Sequence, residues 1–314
     1  MRPRASWRWI AVMALASVGS FPSPVGAVVI DRVNAGTGNM SAPSDDPGWA
    51  NVGAIGVGGG VYIGYGWVLT ASHVGASDGI VLGGVKYPML PGTARQLTNA
   101  GAAGKSTLTD LYMFQIQKPS VSLPFIHVAS TAPANGETVT MIGRGRLQQA
   151  NPTYWDVNDS SNPWIWTETT AALANEAGFK ADGAKEKRWG TNVIDDRGWF
   201  NVGPDVLGLG TTFDPFVSTN EAQVVNGDSG GAVFVKQAGA WNLAGIIIAQ
   251  GVLPNQPGGT STAAFYNTSN FADLSYYRPQ IVAIVVPEPV AMTQLFVAGG
   301  IGLGVWWPRR RRPG

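Results

Sequence analysis

Residues 226–234 read Asn-Gly-Asp-Ser-Gly-Gly-Ala-Val-Phe. Gly227, Gly230 and Gly231 surround one carboxylate, Asp228, and one hydroxyl, Ser229, just before an apolar β-type run. Such letters make either a tight turn feeding a strand or a nucleophile held in that turn. A serine hydroxyl is a weak nucleophile alone, so the second reading needs a base and an orienting acid elsewhere in the chain.

The surroundings are β-rich. Short runs of β-branched and aromatic residues recur at 60–71, 79–90, 110–116, 137–143, 231–236, 241–248 and 262–268, punctuated by glycine turns. That spacing predicts an all-β barrel or sandwich. Ala171–Ala181 reads as a helix, and a short second helix is expected near Asp273–Ile284, interrupted by Pro279. Residues 150–204 have few strand-like runs and five tryptophans, and read as long connectors. Their aromatics either line a groove or pin the connectors to the core.

Only two histidines are present. His127 lies between Ile126 and Val128 in an apolar run, the setting of an ordinary strand residue. His73, in GWVLTASHV, follows the end of a strand and is the better base. Asp110 opens the strand DLYMFQI and can orient it, whereas Asp78 sits in an Asp-Gly turn.

In chain order these are His73, Asp110 and Ser229. GWVLTASHV, TDLYMFQI and GDSGGAVF resemble, in that order, the histidine, aspartate and serine motifs of the chymotrypsin-like (trypsin-fold) serine peptidases. The resemblance implies two six-stranded antiparallel β-barrels with the active site between them and a short C-terminal helix, the first barrel at about 45–135 and the second at about 136–280. It implies a catalytic triad of His73, Asp110 and Ser229, and an oxyanion hole from the N–H groups of Gly227 and Ser229. It puts Gln223 at the base of the substrate pocket, where a neutral residue does not call for Arg or Lys in the substrate. The expected partner is a protein or peptide, with no cofactor and no metal. A trypsin-fold binding or scaffold protein of weak activity, or an esterase on the same triad, are the alternatives.

Two departures from the family stand out. No Ile-Val-Gly-Gly sequence precedes His73, which leaves the partner of Asp228 open; a new amine at Val28 is one candidate. GIIIAQG (245–251) lacks the serine that supports the family's aspartate.

The ends of the 314-residue chain differ from its middle. Arg2, Arg4 and Arg8 precede an apolar stretch and then Val25-Gly26-Ala27, the pattern of a secretory signal (1–27) cut by signal peptidase. Val286-Pro287-Glu288-Pro289, an apolar segment at 290–307 and Arg309–Arg312 resemble the PEP-CTERM sorting signal of Gram-negative bacteria (286–314). That implies transient membrane insertion, recognition by an exosortase, and a final location in the envelope, at the cell surface or outside the cell. Setting the charges of both ends aside leaves 14 of 21 basic and 19 of 20 acidic residues in the middle, a balance of −5 that offers no nucleic-acid surface. GAAGKST (101–107) echoes a phosphate loop, but position 99 is Asn and no βαβ unit surrounds it. With no cysteine, residues 28–285 must hold together by their core alone.

Overall fold

The computed structural model describes residues 28–33, 38–76, 79–119 and 122–285. Asp78, the secretory signal and the sorting signal lie outside them. Among the described residues no helix is long and apolar enough to cross a membrane.

Two seven-stranded antiparallel sheets dominate. The first runs Val85–Tyr87, Ile80–Leu82, Val52–Ile55, Gly58–Gly64, Trp67–Ala71, Leu108–Gln115 and Arg95–Thr98 across its width. A bridge between Met89 and Ile116 ties the chain beyond the Val85–Tyr87 edge to the end of Leu108–Gln115, closing a barrel. The second runs Arg188–Val193, Thr138–Gly143, Ala232–Gln237, Ala240–Gly251, Thr268–Asp273, Asp205–Thr212 and Asp196–Asn201. Its two edge strands are consecutive in sequence, so the chain carries one edge round to the other. The protein is all-β with trypsin-like barrels.

Side-chain alternation assigns each strand two jobs. Val68 and Phe114 fill the first barrel, while their neighbours Leu69 and Met113 face the second. Val233 and Val235 fill the second barrel, while Ala232 and Phe234 face the first. Strands buried on both faces read as continuous apolar runs, which is how these segments appear in the sequence. The shared layer between the barrels, with Val61, Leu111, Phe234 and Ile246, is the largest apolar cluster.

Helix Leu274–Val285 seals this layer. Asp273 Oδ1 caps it, accepting from the Ser275 N–H at 2.9 Å and the Ser275 hydroxyl at 2.6 Å. The helix continues through Pro279 rather than breaking there, because Leu274, Tyr277, Ile281 and Val285 at helical spacing bury one face. The Tyr277 hydroxyl donates to Asn99 Oδ1 at 2.9 Å and accepts from the Thr109 hydroxyl and the Leu207 N–H at 3.0 Å. One phenol thus joins both barrels to the helix.

Two expectations fail. Ala171–Ala181 is not a helix: after a turn, Glu176–Lys185 is a ten-residue strand. It pairs with Arg146–Gln148, Thr153–Asn158 and Thr262–Ala264, and those pairings override the helix preference of its alanines. The connector 150–204 is also strand-rich, beginning with a hairpin of Thr153–Asn158 and Ile165–Thr169. Trp155 is buried and packs edge-on against Trp166 at 5.6 Å. The 101–107 loop has committed its donors as well: Asp205 accepts from the Ser106 N–H at 2.9 Å and pairs with Lys105 at 3.5 Å.

Tyr277→Phe will strand the buried Leu207 N–H and Asn99 carbonyl oxygen. Urea unfolding is expected to show a loss of about 1–3 kcal/mol with an unchanged m-value.

Candidate active site

The register of the first barrel brings His73 and Asp110 together. Ala71 pairs with Leu111, so Asp110 falls beside the Ser72-His73 turn that ends the strand. His73 Nδ1 is 2.6 Å from Asp110 Oδ2, with the His73 side chain 48% exposed and that of Asp110 only 2%. An imidazole proton held at Nδ1 leaves Nε2 as an acceptor. The other oxygen, Asp110 Oδ1, accepts from the Ser72 hydroxyl at 2.8 Å and the His73 N–H at 2.9 Å. Gln96 Nε2 reaches the same Ser72 hydroxyl at 3.2 Å. Ser72 therefore takes the supporting place for which GIIIAQG has no serine.

Ser229 sits in a turn fixed from both barrels. The Asp228 N–H donates to Val225 O at 3.0 Å, the Gly231 N–H to Asp228 O at 2.9 Å, and the Gly230 N–H to Ile247 O at 2.8 Å. Ser229 O accepts from the Gly59 N–H of the first barrel at 2.8 Å. Gly230 has φ +82°, and a Cβ there would lie 2.1 Å from Gly59 O. Gly227 has φ +101°, which excludes an ordinary side chain. Among the described residues, neither the Gly227 N–H nor the Ser229 N–H donates to a protein acceptor.

His73, Gly227 and Ser229 line one cavity of about 360 Å³. Its far end is neutral, with Val224, Val225, Ile248, Ala249, Gln250 and Thr260. Gln223 is not on this wall. It is fully buried in the strand pair with Val29–Ile30, and its Nε2 donates to Thr268 O at 2.9 Å. Alternation turns Val224, rather than Gln223, toward the cavity. His127 is exposed on the connector between the barrels, edge-on to Phe125, and lies outside the cavity. None of the five tryptophans of 150–204 lines it either. Among the described residues no cluster of three or more His, Asp or Glu side chains is arranged to hold a metal ion.

Asp228 is wholly buried. Its Oδ1 accepts from the Gly145 N–H at 2.6 Å and the Val28 N–H at 3.3 Å, and its Oδ2 from the Val225 N–H at 2.8 Å. Gly143 and Gly145 make room for it, since a Cβ would come within 2.2 Å and 2.7 Å of the carboxylate. Burial raises the Asp228 pKa to about 6, against the pull of these N–H donors. Sequence reading singled out neither Ser72 nor these two glycines. The repeated glycine of Gly143-Arg144-Gly145 was the only local hint.

A profile of the Trypsin family matches residues 37–173, a span that carries His73 and Asp110 and ends before Ser229. No curated protein matches the chain. Among solved structures it is similar to the NS6 protease of murine norovirus 1, with 15% identity over 74% of this chain and 93% of that one and a TM-score of 0.37. It is also similar to the inactive form of the Rv3671c protease of M. tuberculosis, with 14% identity, 78% and 99% coverage and a TM-score of 0.41. A third is kallikrein-related peptidase 10 in complex with Zn2+, with 15% identity, 78% and 98% coverage and a TM-score of 0.44. The Trypsin-family match and the barrel fold together support a trypsin-like peptidase.

Two outcomes are expected of the site. Ser72→Ala removes one charge-assisted bond of roughly 1.5 kcal/mol from Asp110, and kcat should fall about tenfold with KM little changed and partial rescue in Ser72→Thr. The second concerns Asp228. While Val28 N is an amide, the raised carboxyl favours the fold below about pH 4 and loses that contribution as pH rises through about 6. An ammonium at Val28 reverses the preference by pairing with the carboxylate. A form beginning at Val28 should therefore exceed one extended by Gly26-Ala27 by roughly 3 kcal/mol at neutral pH, the gap closing toward pH 4. Chemical unfolding of both forms across that range measures it.

Proposed function

We propose that the protein is an exported serine endopeptidase that cuts peptide bonds through His73, Asp110 and Ser229 and an acyl-enzyme. The observation that carries this reading is that His73, oriented by Asp110, lines one cavity with Ser229 and Gly227, whose N–H groups have no protein acceptor among the described residues.

Each group then has one task. Ser229 Oγ bonds to the substrate carbonyl carbon as its proton passes to His73 Nε2. The Gly227 and Ser229 N–H groups hold the oxygen that becomes negative, each worth roughly 3 kcal/mol of barrier. The carbon–nitrogen bond breaks, His73 gives its proton to the leaving amine, and water releases the acyl group by the reverse sequence. Asp110 keeps the imidazole in the required tautomer and stabilises its cation. Its burial suits that role, because a shielded carboxylate acts on the ring more strongly than a solvated one.

The neutral far end of the cavity supports apolar or small neutral residues before the cut bond, because a buried Arg or Lys would have no counter-charge there. Export is proposed on the pattern of residues 1–27, and sorting at the cell envelope with exosortase processing on that of 286–314.

A fluorophosphonate probe should label the form beginning at Val28 and fail to label Ser229→Ala or His73→Ala. Each substitution is expected to lower kcat by about 10⁶-fold on a peptide substrate. An unlabelled wild type would overturn the enzymatic reading and favour a binding role.

A further inference from the structure

We propose that Lys185, backed by Arg144 and Arg146, reads an acidic side chain on the leaving-group side of the cut bond. The inference rests on the peptidase reading and names a substrate class for that same site.

The direction of the substrate follows from the cavity walls. Its neutral end, Val224 to Thr260, lies behind Ser229 and takes the side chain on the acyl side. His73 must reach the leaving amine to protonate it, and the wall on its side continues through Val74, Gly58 and Val57. The leaving segment therefore runs out past Val57, which is 74% exposed.

Lys185 stands at that exit. It closes the strand Glu176–Lys185 of the second barrel's side, and its ammonium donates to Val57 O of the first barrel. The same side chain lies over Gly227: a Cβ there would meet Lys185 Cε at 2.9 Å and Nζ at 3.0 Å. The cation thus sits at the junction of the proposed oxyanion site and the exit.

The charge around it is mostly positive. Arg146 is the cross-strand partner of Lys185. Burial and then Arg146 and Arg144 push the Lys185 pKa down against the pull of Asp228, and burial and then Arg144 hold Lys187 at about 8 against the pull of Asp46. Lys185 is therefore close enough to both arginines for them to disfavour its charge, and Lys187 to Arg144. The acids described nearby are already engaged. Asp228 is enclosed by N–H donors, Asp46 Oδ1 accepts from Gly48 and Trp49, and Glu186 faces Arg144 at 3.9 Å. Lys187 is occupied too, donating to Trp49 O at 2.7 Å and Val52 O at 2.9 Å. Lys185 makes one hydrogen bond, to the exposed Val57 carbonyl, which an arriving carboxylate can replace. A carboxylate there relieves the mutual repulsion and gains the Coulomb attraction, as complementary charge does at interfaces generally.

The test uses internally quenched peptides alike up to the cut bond, with Glu, Gln or Lys in the next three positions. On the Val28 form, kcat/KM should rank Glu above Gln above Lys by about fivefold per step, shrinking toward unity in 1 M salt. Lys185→Gln should erase the ranking and Lys185→Glu should invert it. Binding of the same peptides to Ser229→Ala, followed by fluorescence anisotropy, should repeat the order without turnover. Equal handling of the three peptides in both assays, or an order unchanged in Lys185→Glu, overturns the inference even if the fluorophosphonate probe labels the enzyme. Failure of labelling with a charge-ordered binding series overturns the peptidase reading and leaves the cationic exit standing.

Discussion

The site depends on one carboxylate removed from water. Asp228 has no exposed surface, and its charged form survives only by what its oxygens accept, from Gly145, Val225 and Val28. Those donors come from three separated stretches of chain, so the carboxylate pins them to one another. It also fixes the residue on each side of it, Gly227 and Ser229, both of which line the cavity. A carboxylate left half-satisfied in that position would cost several kcal/mol. The turn is therefore rigid for electrostatic reasons as much as for steric ones.

The barrels supply the second requirement, which is a fixed distance between their inner ends. Without disulfides, that distance is held by the apolar layer around Phe234, Leu69 and Met113 and by the Tyr277 phenol. Gly58–Gly64 and Trp67–Ala71 in this layer are buried along their whole length, so little of them can shift without opening voids in two cores at once. The imidazole is carried by one barrel and the serine turn by the other. The packing between them thus sets the chemistry's geometry, and a core substitution far from the cavity can act on it.

Much of this was legible in the letters. The apolar runs with glycine turns gave away the β architecture, because alternation and double burial leave that pattern. The motifs around His73 and Ser229 stand where strand ends meet the cavity, with Asp110 behind His73 inside the neighbouring strand. What the letters hid was long-range. Ala171–Ala181 looked helical, yet its second half belongs to the strand Glu176–Lys185, whose conformation is decided by three strands distant in sequence. Gln223 was counted into the pocket by its distance from Ser229 along the chain, but a strand pairing with Val29–Ile30 turns it away. Ser72 carries no mark of its role, since only the register against Leu111 brings it to Asp110. Val28, one candidate partner for Asp228 from the sequence, does reach it across 200 positions, through its N–H.

The contact between Gly59 and the Ser229 turn has a consequence for how such a chain can be rebuilt. Two barrels joined by one connector resemble interchangeable modules, and a graft at the connector would keep every strand intact. Yet Gly58 belongs to one barrel and Gly230 to the other, and each is bare where the other's backbone passes, a Cβ on Gly58 lying 2.7 Å from Ser229 O and one on Gly230 2.1 Å from Gly59 O. A half taken from another protein would carry its own version of that seam, and a single methyl group on either side would hold the two apart. The unit of inheritance is then the pair, and recombination between relatives will succeed only where both glycines travel together.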